Sequence, residues 1–103
     1  MSLQGGLLLT CAEAVGDFSF KQSVVTGSQE WRVFGHLSYL GLSQVLYSLL
    51  QTSKLSILNA YWDATSNVAT YAIGWLWFGE SITTTQHLGF ALTLAGAWLL
   101  REQ

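Results

Sequence analysis

The chain contains no proline, a single cysteine and few charges. Without proline, nothing in the sequence forces a kink or a break, so long uninterrupted helices are allowed throughout. The lone Cys11 excludes an intrachain disulfide and gives no basis for a cysteine-built zinc site. Four basic residues and a net charge of −2 cannot form the positive stripe that a phosphate backbone requires, so nucleic acid is not an expected partner. Asp, Glu, Lys and Arg together make up 10% of the 103 residues, where a soluble domain spends about 25%. What fills the space is apolar: half the residues are hydrophobic and 14% are aromatic, and the mean hydropathy is +0.36. Such a composition cannot cover a globule with charge and predicts contact with a lipid bilayer. The N-terminus lacks a basic region ahead of its first apolar run, so no cleavable signal peptide is expected.

The length allows one domain, 1–103. Four segments have the length of a bilayer-spanning helix, about 17 to 25 residues: 3–24, 31–51, 55–78 and 84–100. The stretch "VTGSQE" closes the first, "TSK" separates the second from the third, and Gly79 is placed to end the third in a left-handed C′ conformation. Thr83 with Gln86 three residues later forms a capping-box pattern that starts the fourth. Connections this short make neighbouring helices antiparallel. The predicted fold is an all-α membrane protein of four transmembrane helices arranged as an up-down pair of hairpins. A soluble four-helix bundle is the alternative, and it would leave outer faces of Leu, Trp and Phe in water. Lys54 and Arg101 fall on one side of this layout, Lys21 and Arg32 towards the other. Two cations against two give no orientation bias, which predicts a multi-pass protein inserting in both topologies.

Ionisable and polar groups interrupt the apolar segments. In "TCAEAVGDFSFKQ", Glu13, Asp17 and Lys21 stand at i, i+4 and i+8, close to one helical face. An unpaired acid at mid-membrane costs about 2.5 to 3.5 kcal/mol on insertion scales, so Glu13 is expected to face a cavity or a partner. A carboxylate there offers one site to a proton and an organic cation in turn; the alternative is a purely structural contact with a neighbouring helix. Asp17 and Lys21 are expected to pair within the helix, acid before base, with Lys21 reaching for the interface. The third segment carries a stripe of Asn59, Asp63, Asn67 and Thr70, with Trp62 beside it. An acid next to an aromatic ring suits a desolvated cation, and an interhelical hydrogen-bond seam explains the stripe equally well. Tyr39 could present its hydroxyl to the same cavity. Gly89 and Gly96, with Ala95 and Ala97, suggest a helix association face. His36 and His87 lie near helix ends and do not establish a metal site. No nucleophile–base pair is evident, so neither an enzyme nor a cofactor is expected.

The run "CAEAVGDFSFKQS" resembles the first helix of the small multidrug resistance transporters: a small residue, Glu, two residues, Gly, then a Lys, read here as Ala12, Glu13, Gly16 and Lys21. Tyr39 falls at that family's second-helix tyrosine, Trp62 at its third-helix tryptophan, and Gly89 with Gly96 at its fourth-helix dimerisation glycines. "FGESITTTQHLGFALTLAGAWLL" is also similar to the closing, EamA-like half of the wider drug/metabolite transporter superfamily. The resemblance implies a four-helix protomer, an antiparallel homodimer and proton-coupled export of small cations. Glu13 would be the shared proton and substrate site, with Tyr39 and Trp62 lining the pocket. In such a dimer the two Glu13 carboxyls would titrate as a coupled pair, and the protomers would alternate between two conformations. The chain departs from the family in its third helix, with Asn59 in place of a tyrosine, Asp63 in place of a small residue, Ala64, Thr65 and Ser66 in place of Gly-x-Gly, and Lys54 in place of a proline. A second acid at Asp63 favours a more highly charged cargo, such as a polyamine or a guanidinium compound. Two other readings remain open: a flippase subunit for a lipid-linked sugar or metabolite, and a non-transporting membrane scaffold.

Overall fold

The computed structural model describes residues 2–100, so the topology argument from Arg101 falls outside the described residues. Four helices run through it: α1 over Ser2–Thr26, α2 over Gln29–Leu50, α3 over Leu55–Ala72, and α4 over Thr84–Leu99. The end of α3 passes directly into a π-helical turn, Ile73–Trp77, which sequence periodicity gives no means of foreseeing. Gly27 and Gly79 have φ of +76° and +68°, the left-handed geometry that glycine adopts without a Cβ penalty. Before α4, the Thr83 hydroxyl accepts from the Gln86 N–H at 3.1 Å and the Gln86 side chain accepts from the Thr83 N–H at 2.9 Å, completing the capping box.

Side-chain contacts define the chain directions. Between α1 and α2, Gly16 meets Tyr39, Phe20 meets Gly35, and the Ser23 hydroxyl donates to the Ser28 carbonyl, so one number rises as the other falls. These helices are antiparallel. Between α1 and α3, Gly6 meets Tyr61, Thr10 meets Thr65 and Glu13 meets Ser66, a parallel progression. Helix α4 packs chiefly on α3 and runs back along it, with Tyr71 against Phe90 and His87. The spatial order is therefore α2, α1, α3, α4.

These helices form an open layer instead of a closed bundle. The molecule measures 45 × 36 × 14 Å, and its least dimension is close to the 10–12 Å diameter of a single helix with side chains. Its accessible surface is 6837 Å², against about 5,700 Å² for a compact monomer of this mass. Leu9 and Leu58 are fully buried and anchor the α1–α2–α3 contact, joined by Leu42. Gly5 and Gly6 allow α1 and α3 to approach closely, since a Cβ on Gly6 would lie 3.0 Å from the Tyr61 Cβ. Away from this seam the surface is apolar, with Leu8, Val15, Leu40, Leu88, Leu92 and Leu99 all exposed. Among the described residues no helix is long and apolar enough to cross a membrane. Thr10, Glu13, Asp17, Ser19 and Lys21 dilute the hydropathy of α1, and α4 has sixteen residues.

Candidate functional site

Helix α1 carries a ladder of polar groups, and each rung is satisfied by a different neighbour. The Thr10 and Thr65 hydroxyls are hydrogen-bonded to each other. One turn on, the Ser66 hydroxyl donates to Glu13 Oε1, and a further turn on, the Tyr39 hydroxyl donates to Asp17 Oδ1. At the end Lys21 Nζ lies 3.3 Å from Glu80 Oε2. From Thr10 to Lys21 the ladder climbs about 16 Å along the helix axis. It lies where α1 faces α2 and α3, while Leu7, Leu8 and Val15 point outward.

Glu13 is half-buried, and its hydrogen-bond partner is a neutral hydroxyl. Among the described residues no basic group lies within salt-bridge distance of it. A hydroxyl donor orients the carboxylate without cancelling its charge, so the group keeps its attraction for a proton or a cation.

Asp17 and Lys21 do not pair with each other as their spacing suggests. Gly16 leaves room for the Cδ2–Cε2 edge of the Tyr39 ring to approach α1 closely, and the phenol reaches Asp17. Lys21 is drawn across to Glu80 because the chain turns back after α3. Phe78 N–H donates to the Ile73 carbonyl at 3.1 Å and Glu80 N–H to the Gly74 carbonyl at 3.0 Å. These bonds place the Glu80 carboxylate directly over Gly74. A cleft of about 200 Å³ results, lined by Asp17, Phe18, Lys21, Thr70, Phe78 and Glu80 among others.

The third-helix stripe divides. Asn59 and Asp63 are exposed and bonded to each other, Asn59 Nδ2 donating to Asp63 Oδ2 at 3.2 Å, while Glu13 is hydrogen-bonded to Ser66. Thr70 donates back to the Ser66 carbonyl at 2.8 Å and lines the cleft. Trp62 packs on the Leu9–Leu42–Leu58 cluster with its indole N–H buried and without a hydrogen-bond partner. Within one protomer, then, Glu13 and Tyr39 lie on the ladder, Trp62 lies in the apolar core, and Asn59 with Asp63 lies on the surface. Ser66 and Glu80 are the partners that sequence reasoning missed. Ser66 had a signal, since it follows Asn59 and Asp63 at i+7 and i+3 on the same face; Glu80 had none, because its approach depends on the π-turn.

Nothing lies within 4 Å of a Cβ built on Gly89 or Gly96, so this side of α4 is open. The His87 Nδ1 is hydrogen-bonded to the Tyr71 hydroxyl beside Trp75, and the His36 ring lies edge-on to Phe20. Among the described residues no group of three His, Cys, Asp or Glu side chains could hold a metal ion.

The chain is thus a layer of helices, apolar outside and threaded by an ionisable seam. The profile of the Small Multidrug Resistance protein family matches residues 7–93, and the chain belongs to that family. The Spermidine export protein MdtI of Shigella flexneri is 32% identical over 73 residues, covering 68% of this chain and 67% of that protein. The protein of the same name from Escherichia coli strain K12 / DH10B matches with the same identity and coverage. No solved structure matches.

Proposed function

We propose that this protein is a multi-pass membrane transporter that exports a small organic cation in exchange for protons, with Glu13 as the site the two share. The observation that carries this reading is the Glu13–Ser66 contact: an acid inside the helical layer, oriented by a hydroxyl and left without a fixed counter-charge. Binding of the cation displaces the proton from the Glu13 carboxyl, and protonation releases the cation, so the same carboxylate is never held by both. The exposed leucines and valines on the outer helix faces support insertion in a bilayer, because water would leave this apolar surface uncovered.

The open layer supports a dimer as the working unit, since one protomer has no second wall to enclose a substrate. An antiparallel homodimer would set two Glu13 carboxyls around one chamber, and the open Gly89 and Gly96 face supports close helix approach between copies. A polyamine is the favoured cargo. The relatives named for spermidine export support it, as does the presence of further acids at Asp17, Asp63 and Glu80.

The test is exchange in proteoliposomes. Spermidine added to the purified protein should release protons and, under a pH gradient, accumulate; Glu13→Gln should abolish both. Full transport by Glu13→Gln, or uptake of a sugar phosphate in preference to the amine, would overturn the reading.

A further inference from the structure

The cleft at the far end of the ladder has a cation already seated in it, and that cation is part of the chain. The Lys21 ammonium sits 3.3 Å from Glu80 Oε2, and both residues line the cleft together with Asp17, Phe18, Thr70 and Phe78. A lysine side chain is a butylammonium group. The site therefore already holds the chemistry of one arm of a linear amine: an aliphatic stem near two aromatic rings and a primary ammonium at a carboxylate. Lys21 and Glu80 are 45% and 46% exposed, and an ion pair that open to solvent is weak enough to exchange partners.

Its position relative to Glu13 gives the exchange a purpose. The eight residues from Glu13 to Lys21 rise about 12 Å, within the reach of an extended triamine. Asp17 lies between them, a turn from each. We propose that the Lys21–Glu80 ion pair is a displaceable latch on the α1–α3 cleft, opened when the terminal ammonium of a linear polyamine replaces Lys21 on Glu80. The inference rests on Glu13 as the primary cation site and adds a second contact, one that a compact monovalent cation cannot make. The latch selects for length and charge together. An amine with one ammonium occupies Glu13 and leaves Lys21 in place, whereas a triamine spans to Glu80, frees the lysine and loosens the link between α1 and the turn after α3. That link is one of the long-range contacts tying α1 to the turn, so its release would let the cleft widen as cargo loads.

Binding to the purified wild-type protein in detergent, with spermidine and tetraethylammonium as probes, tests this. Glu80→Gln should weaken spermidine binding by about three- to fivefold and leave tetraethylammonium unchanged. Lys21→Gln, which removes the internal competitor, should tighten spermidine by a similar factor. In the unaltered protein labelled with 15N-lysine, spermidine should shift the Lys21 Nζ resonance, assigned by its loss in Lys21→Gln, and tetraethylammonium should not. Equal shifts for both probes in either variant, or a Lys21 resonance unmoved by spermidine, would overturn the latch. Loss of both probes in Glu13→Gln with the latch behaviour absent from every other variant would overturn the latch alone, whereas retention of both probes in Glu13→Gln would overturn the primary site.

Discussion

Gly16 lies so close to Tyr39 that a Cβ in its place would stand 2.7 Å from two carbons of the ring. The contact sets the depth at which α2 docks on α1 and holds the phenol at Asp17. Gly16→Ala must push the ring and the α2 backbone behind it, at a cost of about 1–3 kcal/mol for overpacking. Gly41→Ala is the control, because nothing lies within 4 Å of that position. Thermal unfolding of the detergent-solubilised protein should show a lowered midpoint for Gly16→Ala and an unchanged or slightly raised one for Gly41→Ala.

Ser66 orients Glu13 but carries no charge. Ser66→Ala removes one hydrogen bond of about 1 kcal/mol and leaves the carboxylate in place. Cation-driven proton release should survive in Ser66→Ala with altered affinity and disappear in Glu13→Gln. Equal loss in the two variants would mean that the hydroxyl is required as much as the acid.

At Gly74 the expected result runs against the usual expectation for a buried glycine. A Cβ there would meet the Glu80 carboxylate, the far end of a flexible side chain, which can swing away at little cost. Gly74→Ala should therefore keep its stability and lose the Lys21–Glu80 pair. Circular dichroism melting should be unchanged while the reactivity of Lys21 towards acylation rises, even without amine present.

Helix α4 depends on its own ends more than α1 does, since it packs chiefly on α3 and has no buried residue of its own. Thr83→Ala removes the hydroxyl that accepts from the Gln86 N–H and leaves the Thr83 N–H to Gln86 side-chain bond in place, a loss of about 1 kcal/mol. Hydrogen exchange should rise over the first turn of α4 and stay unchanged in α1 and α2.

The open side of α4 gives a separate outcome. At Gly89 and Gly96 a Cβ would meet nothing within 4 Å inside a protomer, so Gly89→Leu and Gly96→Leu probe the face between copies. Helix content should be retained, while crosslinking between copies in the membrane should fall if this face is where a second chain approaches. Undiminished crosslinking would assign the dimer contact to another helix.

Much of this architecture was legible in the chain before any coordinates. The absence of proline, Gly27 and Gly79 at the turns and the Thr83–Gln86 pattern locate four helices to within a few residues, because a helix start or stop is set by the conformational limits of adjacent residues. The presence of Glu13, Asp17 and Lys21 on one side of α1 follows from the 3.6-residue period alone. Which group each of them meets does not follow. Asp17 goes to Tyr39 instead of Lys21 because a missing side chain at Gly16 admits a ring from α2, and Lys21 goes to Glu80 because a π-turn folds the chain back over Gly74. Trp62 turns into the core and Asp63 outward because α3 is clamped between α1 and α4 at one rotation about its axis. Periodicity assigns residues to a face; the close approach of distant segments chooses the partner, and that choice gives Glu13 the neutral Ser66 hydroxyl.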